Sequence, residues 1–242
     1  MKEMKLDALA IGAHADDVEL GCGGTVALLA SHGRKVGVLH LTRGEAGTRG
    51  TVEERQHEAE VAARALGAAT VEFLDFGDGA LRTGQAEEDA LIGVLRRLQP
   101  ELVLGPAPSD RHPDHGRAHR LVADACYYSG LVRRGEGEPH RPGAVFSYMP
   151  HDPFVPSFIV DVTATWDRKL EALAAYESQL HQHGQERDEP LTKVASQEFR
   201  QAVEGRARHY GLVVGAAFGE PFWNRLPLAV ADPWSLLPGG LR

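Results

Sequence analysis

The chain has 242 residues, of which 43% are hydrophobic and 25% charged, and its formal net charge at pH 7 is −8. This apolar fraction excludes a chain that is disordered throughout, and the length suits one substantial α/β domain. The acidic balance argues against nucleic acid as a partner, because binding a phosphate backbone needs a basic face. No apolar run reaches the length of a membrane span, and two cysteines make no disulfide framework. We therefore predict no membrane partner and a cytoplasmic location.

Strand-like and helix-like segments alternate along the first two-thirds of the chain. Short apolar runs predict buried strands at residues 6–12, 35–42, 71–74 and 102–105. Helical patterns follow them at residues 19–32, 51–66, 87–99 and 114–128. This order predicts right-handed βαβ units and an α/β fold, with a Rossmann-like, mostly parallel sheet covered by helices on both faces.

The pattern changes after a Gly- and Pro-rich segment at residues 135–143. Two further strands are predicted at 144–148 and 158–162, and two amphipathic helices at 166–181 and 192–210. No linker or internal repeat marks a boundary, so we predict a single domain over residues 1–242. Its core covers about 6–222, and an apolar, Pro-rich tail follows at 226–242.

Two polar clusters follow predicted strands at their carboxyl ends. The sequence HADD occupies residues 14–17 after the first strand, and HPDH occupies residues 112–115 after the fourth. In the doubly wound order 3-2-1-4-5, the first and fourth strands are neighbours, and ligands bind in the crevice between them. Motifs almost 100 residues apart are therefore expected to face one site.

The residue types in these clusters fit a metal ion. His14 and Asp17 are three residues apart at a helix start, and His115 begins a helix in the second cluster. Three protein ligands leave one position open for water or substrate. Two imidazoles and a carboxylate suit Zn²⁺, and Fe²⁺ can use the same arrangement.

The remaining residues of the clusters suit hydrolysis. Asp16 could take a proton from a water molecule at the metal, and His112 could polarise or protonate the reacting group. Asp114 could hold the imidazole of His112 in one tautomer. The structural alternative is that the aspartates cap a helix and that residues 112–115 shape a turn. The glycines at 21–24 suit a dinucleotide poorly, because two carboxylates occupy the helix start where a pyrophosphate would bind.

Together with residues 42–51 (TRGEAGTRGT) and Arg55, these clusters resemble the PIG-L/LmbE-like family of zinc-dependent de-N-acetylases. The resemblance covers roughly residues 6–222. It implies the same three zinc ligands, with Asp16 as general base and His112, oriented by Asp114, as electrophile or acid. It also implies a homo-oligomer, in which the tail could pack on a neighbouring subunit.

Further segments resemble the bacillithiol-biosynthesis deacetylases within that family. They are Ala15, YSGL at 128–131, PHRP at 139–142 and PSFIVDV at 156–162. The resemblance implies a small-molecule sugar conjugate as substrate, with N-acetylglucosaminyl malate as the expected one.

An anionic malate needs cations near the pocket, and guanidinium groups match carboxylates well. We therefore expect Arg49, Arg55 and Arg111 to bind substrate. Phe218 stands where relatives commonly have Tyr, so a hydroxyl that could bind the oxyanion is missing here.

Other functions stay open at this point. The substrate could be another N-acetylglucosamine conjugate or a chito-oligosaccharide. More distant alternatives are an Fe(II)-dependent oxidoreductase and a non-catalytic, metal-dependent sugar binder. Asp16 and His112 argue against pure binding, which needs no base beside an open metal position.

Overall fold

The computed structural model describes residues 4–179 and 196–233, in which seven strands form one sheet. The strands are β1 (Ala8–Gly12), β2 (Val36–His40), β3 (Thr70–Phe73), β4 (Leu102–Pro106), β5 (Ala144–Tyr148), β6 (Phe158–Asp161) and β7 (Gly219–Trp223). The helices are α1 (Asp17–Ser31), α2 (Val52–Leu66), α3 (Gln85–Leu98), α4 (Pro113–Tyr128), α5 (Trp166–Ala174) and α6 (Gln197–Val214).

The sheet has the order β3-β2-β1-β4-β5-β7-β6. Strands β1 to β5 run parallel, and β7 pairs antiparallel with both β5 and β6. The predicted α/β fold class and the neighbouring positions of β1 and β4 are confirmed. Strand β7 was not predicted, because Gly219 and Pro221 both disfavour a strand. It forms because a neighbour pairs with it on each side.

Two hydrophobic clusters lie on opposite faces of the sheet. The larger contains Trp166 and Tyr176 and packs α1, α2 and α5 against one face. The smaller contains Leu91 and Leu121 and packs α3 and α4 against the other. Within residues 4–179 and 196–233, no helix has both the length and the apolar composition needed to cross a bilayer.

Local sequence signals set the ends of α2. The Thr51 side chain accepts a hydrogen bond from the Glu54 amide, and the Glu54 side chain accepts one from the Thr51 amide. Gly67 ends the helix at φ 75°, a left-handed conformation that glycine adopts without strain. Both ends agree with the prediction because the signals are local.

Helix α5 is shorter than the predicted 166–181 and ends at Ala174. The carboxylate of Glu58 accepts hydrogen bonds from the Ser178 amide (2.6 Å) and hydroxyl (2.7 Å). These bonds from another helix hold Ser178 in a turn. Position 192, the predicted start of the last helix, lies outside the described residues, which show α6 after its Ser196 cap. The tail at 226–242 is described only to residue 233.

Helix α1 is bent at Cys22, whose φ of −145° is not helical. Gly21, just before the bend, lies against the ring of Tyr148, and a Cβ added there would come within 2.1 Å of the ring. The Tyr148 hydroxyl donates to the Ile11 carbonyl at 2.8 Å. Glycine therefore lets β5 and α1 approach closely beneath the carboxyl end of β1.

A buried ion pair stabilises the bend. The Glu220 carboxylate accepts hydrogen bonds from the amides of Gly24 (2.9 Å) and Thr25 (2.7 Å), and from Lys169 Nζ (2.5 Å). Lys169 also donates to the Leu20 carbonyl at 3.0 Å. Strand β7 thus satisfies the backbone amides that the bend leaves free, as an N-cap does.

We expect Gly21→Ala to lower the free energy of unfolding by about 1–3 kcal/mol, because the added methyl group overpacks the Tyr148 ring. Urea denaturation measures the loss. Gly93→Ala is the matched control, since Gly93 lies within α3 with open space around its Cβ position. This control should stabilise the protein by up to about 1 kcal/mol. Equal stability of Gly21→Ala and the wild type would contradict the expected close packing.

Candidate active site

The HADD cluster forms a tight turn between β1 and α1. The Asp17 carboxylate accepts a hydrogen bond from the His14 amide at 2.8 Å. Asp16 occupies the position before α1 at φ 107°, in the left-handed region, and its side chain makes no capping hydrogen bond. Asp16 therefore does not cap the helix with its side chain, whereas His112 does cap α4, where its Nδ1 accepts from the Asp114 amide. Strained backbone at a non-glycine residue is typical of functional sites.

Two buried side chains, an imidazole and a guanidinium, hold this turn from behind. His40, at the end of β2, donates from Nδ1 to the His14 carbonyl at 3.1 Å. Arg55, on α2, donates to the carbonyls of Ala15 (3.1 Å) and Gly44 (2.9 Å). The 42–51 segment is thereby tied to the turn that carries His14 and Asp16.

The two clusters meet across the β1–β4 boundary. Asp17 Oδ1 lies 3.0 Å from His115 Nε2, and Asp17 Oδ2 lies 3.4 Å from His14 Nδ1. His14, His112 and His115 each offer a nitrogen atom within 4.8 Å of the other two. The structure thus brings together the three predicted metal ligands and adds His112 to the same group.

The charges of these residues fit a divalent cation. Burial raises the pKa of Asp17, but the neighbouring His115 and His14 outweigh it and hold the pKa well below its usual range. Burial likewise lowers the pKa of His115, but the carboxylates of Asp17 and Asp110 outweigh it and raise the pKa to about 9. A positive charge is therefore favoured between these carboxylates. The carboxylate oxygens and the imidazole nitrogens are both ligands that a metal ion accepts.

Two of the predicted catalytic residues are Asp16, next to Asp17, and His112, which belongs to the histidine cluster. Burial raises the pKa of Asp16 to about 7, and the nearby charge of Asp17 adds to the effect. Burial lowers the pKa of His112, and the imidazoles of His14 and His115 lower it further. A carboxyl group with a pKa near 7 and a neutral imidazole therefore lie next to the predicted metal ligands.

The carboxylate of Asp114 has other partners than predicted. It lies 3.4 Å from His14 Nε2 and accepts hydrogen bonds from the Gly79 amide (2.8 Å) and from Arg117 (2.9 Å). The hydrogen bond between Asp114 and His112 comes from the backbone amide of Asp114, which donates to His112 Nδ1 at 3.3 Å. The side chain of Asp114 therefore orients His14 rather than His112, because the helix start turns it toward β1.

Several site residues were not predicted from the sequence. Asp78 lies in the loop after β3, with Oδ1 3.2 Å from His14 Nε2. Asp110 contacts His115, and His151, after β5, stacks on the His115 ring with the ring centres 5.4 Å apart. All three follow strands of the sheet, so their position at its carboxyl edge was an available signal.

A cavity of about 440 Å³ adjoins the site through His151, whose ring stacks on His115. Its lining includes Arg111, His151, Phe199, Arg206, His209 and Tyr210. Burial lowers the pKa of His151 to about 4, so this imidazole is neutral at pH 7. The guanidinium of Arg206 donates to two carbonyls, while Arg111 is exposed on the cavity wall.

Of the three arginines predicted to bind substrate, Arg111 lines the cavity, and its substrate-binding role stays a prediction. Arg49 and Arg55 are buried, and neither is among the described residues that line the cavity. Arg55 is committed to backbone carbonyls, so its role is to hold the site together. Phe218 stacks on Trp166 with the ring centres 4.3 Å apart, within the hydrophobic cluster.

The parallel sheet and this site define a class, an α/β enzyme with a metal site at the carboxyl edge of the sheet. Residues 9–126 match the family described as PIG-L, GlcNAc-PI de-N-acetylase. Diacetylchitobiose deacetylase of Thermococcus kodakarensis is 31% identical over 228 residues, covering 88% of this chain and 80% of that protein. The chain belongs to the PIG-L family, and it is accordingly a metal-dependent amidohydrolase of the N-deacetylase class.

Two further relatives bear on the fold and the chemistry. The crystal structure of the conserved protein TT1542 from Thermus thermophilus has a TM-score of 0.86 at 39% identity. The match covers 95% of this chain and 99% of that one. 4-Oxalmesaconate hydratase of Pseudomonas putida is 31% identical over 204 residues, covering 75% of this chain and 77% of the hydratase.

We expect Arg55→Lys to lower the free energy of unfolding by about 1–3 kcal/mol, even without metal or substrate. Nη1 and Nη2 of Arg55 donate to different carbonyls, and the single Nζ of a lysine cannot occupy both positions, so one of these buried acceptors loses its partner. Urea denaturation of the metal-free protein measures this loss.

Arg64→Lys, on the exposed face of the same helix, is the control and should stay within about 0.5 kcal/mol of the wild type. Unchanged stability of Arg55→Lys together with a raised KM would instead support the prediction that Arg55 binds substrate.

Proposed function

We propose that the protein removes the N-acetyl group from an N-acetylglucosamine conjugate with an anionic aglycone, using Zn²⁺. The best candidate is N-acetylglucosaminyl malate, the substrate deacetylated in bacillithiol biosynthesis. The observation that carries this proposal is the placement of Asp16 beside the joined histidine and aspartate groups, next to a cavity with Arg111 on its wall.

His14, Asp17 and His115 would hold the metal. Their contacts across Asp17 bring one carboxylate and two imidazoles together from both motifs. A divalent cation bound there supplies Lewis acidity, which polarises the acetyl carbonyl and lowers the pKa of a water molecule. Metal analysis of the purified protein, together with acetate release in the presence of Zn²⁺ or Fe²⁺, tests the choice of metal.

Asp16 would accept the proton of the attacking water. Its buried carboxyl group, with a pKa near 7, can take up a proton and release it again near neutral pH. Addition of water to the acetyl carbon and cleavage of the C–N bond give acetate and a free amine. The proton that Asp16 holds can return directly to the leaving amine. In the alternative, a protonated His112 gives its proton to the amine and is protonated again with the proton held by Asp16.

His112 would polarise the reacting carbonyl group. Its Nδ1 accepts a hydrogen bond from the Asp114 amide, so a neutral imidazole carries its proton on Nε2. A neutral donor of this kind can stabilise negative charge that develops on the carbonyl oxygen.

The aglycone would occupy the cavity beside His151. Arg111 supplies an exposed guanidinium there, and His209 lies on the same wall. The apolar lining includes Phe199 and Tyr210. A small carboxylated group attached to the sugar fits these surroundings better than an extended neutral oligosaccharide, which would leave the cation without a partner.

The hydratase relative supports a second candidate, the addition of water to an unsaturated polycarboxylate such as 4-oxalmesaconate. The same predicted metal ligands and Arg111 could serve that reaction. Absorbance of the conjugated double bond and release of acetate distinguish the two activities on parallel substrates. Loss of the double bond without acetate release would favour the hydratase.

A cytoplasmic location and a homo-oligomer remain predictions. Cys22 and Cys126 are buried and free, which fits a reducing compartment. Fractionation and light scattering test the two points.

We expect Asp16→Asn to keep bound metal and to lose about 10²- to 10⁴-fold in kcat, because an amide cannot accept the proton. Acetate release and metal content are measured on the same preparation. Asp75→Asn, at an exposed carboxylate, is the control and should retain full activity. Turnover of Asp16→Asn at the wild-type rate would refute the proton-transfer role.

We expect Arg111→Ala to raise KM for N-acetylglucosaminyl malate by about 10- to 100-fold, since a charge-assisted hydrogen bond contributes about 1.5–3 kcal/mol. KM for plain N-acetylglucosamine should change little. Arg120→Ala, on the exposed side of α4, is the control. An equal rise in KM for both substrates in Arg111→Ala would contradict the assignment of this cavity to the aglycone.

A further inference from the structure

Asp110 is a buried carboxylate two residues before the HPDH motif, and it accepts four hydrogen bonds. Its Oδ1 accepts from His115 Nδ1 at 2.7 Å and from the His112 amide at 3.0 Å. Its Oδ2 accepts from the amides of His151 (2.9 Å) and Asp152 (3.0 Å). Its side chain is completely buried.

These bonds decide between two uses of the carboxylate. Asp110, His115 and His151 each offer an atom within 4.8 Å of the other two, a spacing that could suit a second metal ion. Each oxygen of Asp110, however, already accepts two hydrogen bonds, which fills its lone-pair directions. Asp110 therefore serves as an acceptor for protein donors and not as a metal ligand.

We propose that Asp110 is a positioning residue that fixes His115 for metal binding and fastens the 150–153 turn to the same point. The bond to Nδ1 leaves Nε2 of His115 beside Asp17, at 3.0 Å. A carboxylate that receives the second N–H of a ligating histidine sets its tautomer and ring orientation and makes it a better ligand. This inference depends on the proposed role of His115 as a ligand.

The other half of the carboxylate acts on the cavity. His151, Asp152 and Pro153 line its wall, and two of their amides are bound to Asp110. The His151 ring stacks on His115 at an interplanar angle of 26°. One side chain thus fixes the position of His115 relative to the cavity wall.

An asparagine cannot replace this carboxylate, although it has the same shape. Its single carbonyl oxygen can face either His115 and the His112 amide, or the amides of His151 and Asp152. In both orientations the NH₂ group meets N–H donors on the other side. Either His115 loses its acceptor or the turn is released.

The first experiment measures Zn²⁺ affinity by competition with a chelator in Asp110→Asn and in the wild type. We expect the dissociation constant to rise about 10- to 100-fold. The control is Glu58→Gln, which changes a buried carboxylate on α2 that holds Ser178 through an amide and a hydroxyl. This variant should lower the thermal midpoint without changing Zn²⁺ affinity.

The second experiment uses the wild type alone and does not depend on the folding of a variant. In the Zn²⁺-loaded protein, ¹⁵N NMR of the imidazoles should show His115 protonated at Nδ1 and unprotonated at Nε2. A proton missing from Nδ1, or unchanged Zn²⁺ affinity in Asp110→Asn, overturns the proposal.

A third variant separates this inference from the proposed function. If His115→Ala loses Zn²⁺ affinity while Asp110→Asn keeps it, only the role of Asp110 fails. If His115→Ala keeps full affinity, the ligand set itself is wrong, and the inference falls with it. Acetate release does not enter either comparison.

Discussion

The site depends on the parallel pairing of β1 with β4, which places the loops after these two strands side by side. The contact between Asp17 and His115, at 3.0 Å, exists only because of that register. Strand β2 adds His40 behind the turn, and the loop after β3 adds Asp78 beside His14. The order of the sheet thus assembles the chemistry from three connections and the end of one strand.

Charge explains why these connections stay together in a chain of net charge −8. Buried aspartates approach one another closely, and each is compensated by a histidine, an arginine or a backbone amide. Arg55 compensates from below, where it also holds the backbone of the turn. The carboxylates at this edge are therefore balanced within the protein by positive side chains and by N–H donors.

The bend in α1 links the distant end of the chain to this edge. Glu220 on β7 caps the second half of the helix, while Lys169 and Arg206 both donate to the Leu20 carbonyl that the bend exposes. The first half of the same helix carries Asp17. The antiparallel addition of β7 and β6 therefore supports the metal site without contributing a predicted ligand.

Much of this protein was determined by short stretches of sequence. The alternation of apolar runs predicted β1 to β5 and their order. The reciprocal hydrogen bonds of Thr51 and Glu54, together with Gly67, set the ends of α2, and the two motifs supplied the predicted metal ligands. These features depend on residues close together in the chain, or on the strong preference of parallel sheets for one connection. Only the tertiary structure decided the partners of Asp114 and Arg55, the roles of Asp78 and Asp110, and the existence of β7. A side chain's partners are set by which buried donors and acceptors remain unsatisfied after packing, and that depends on the whole fold.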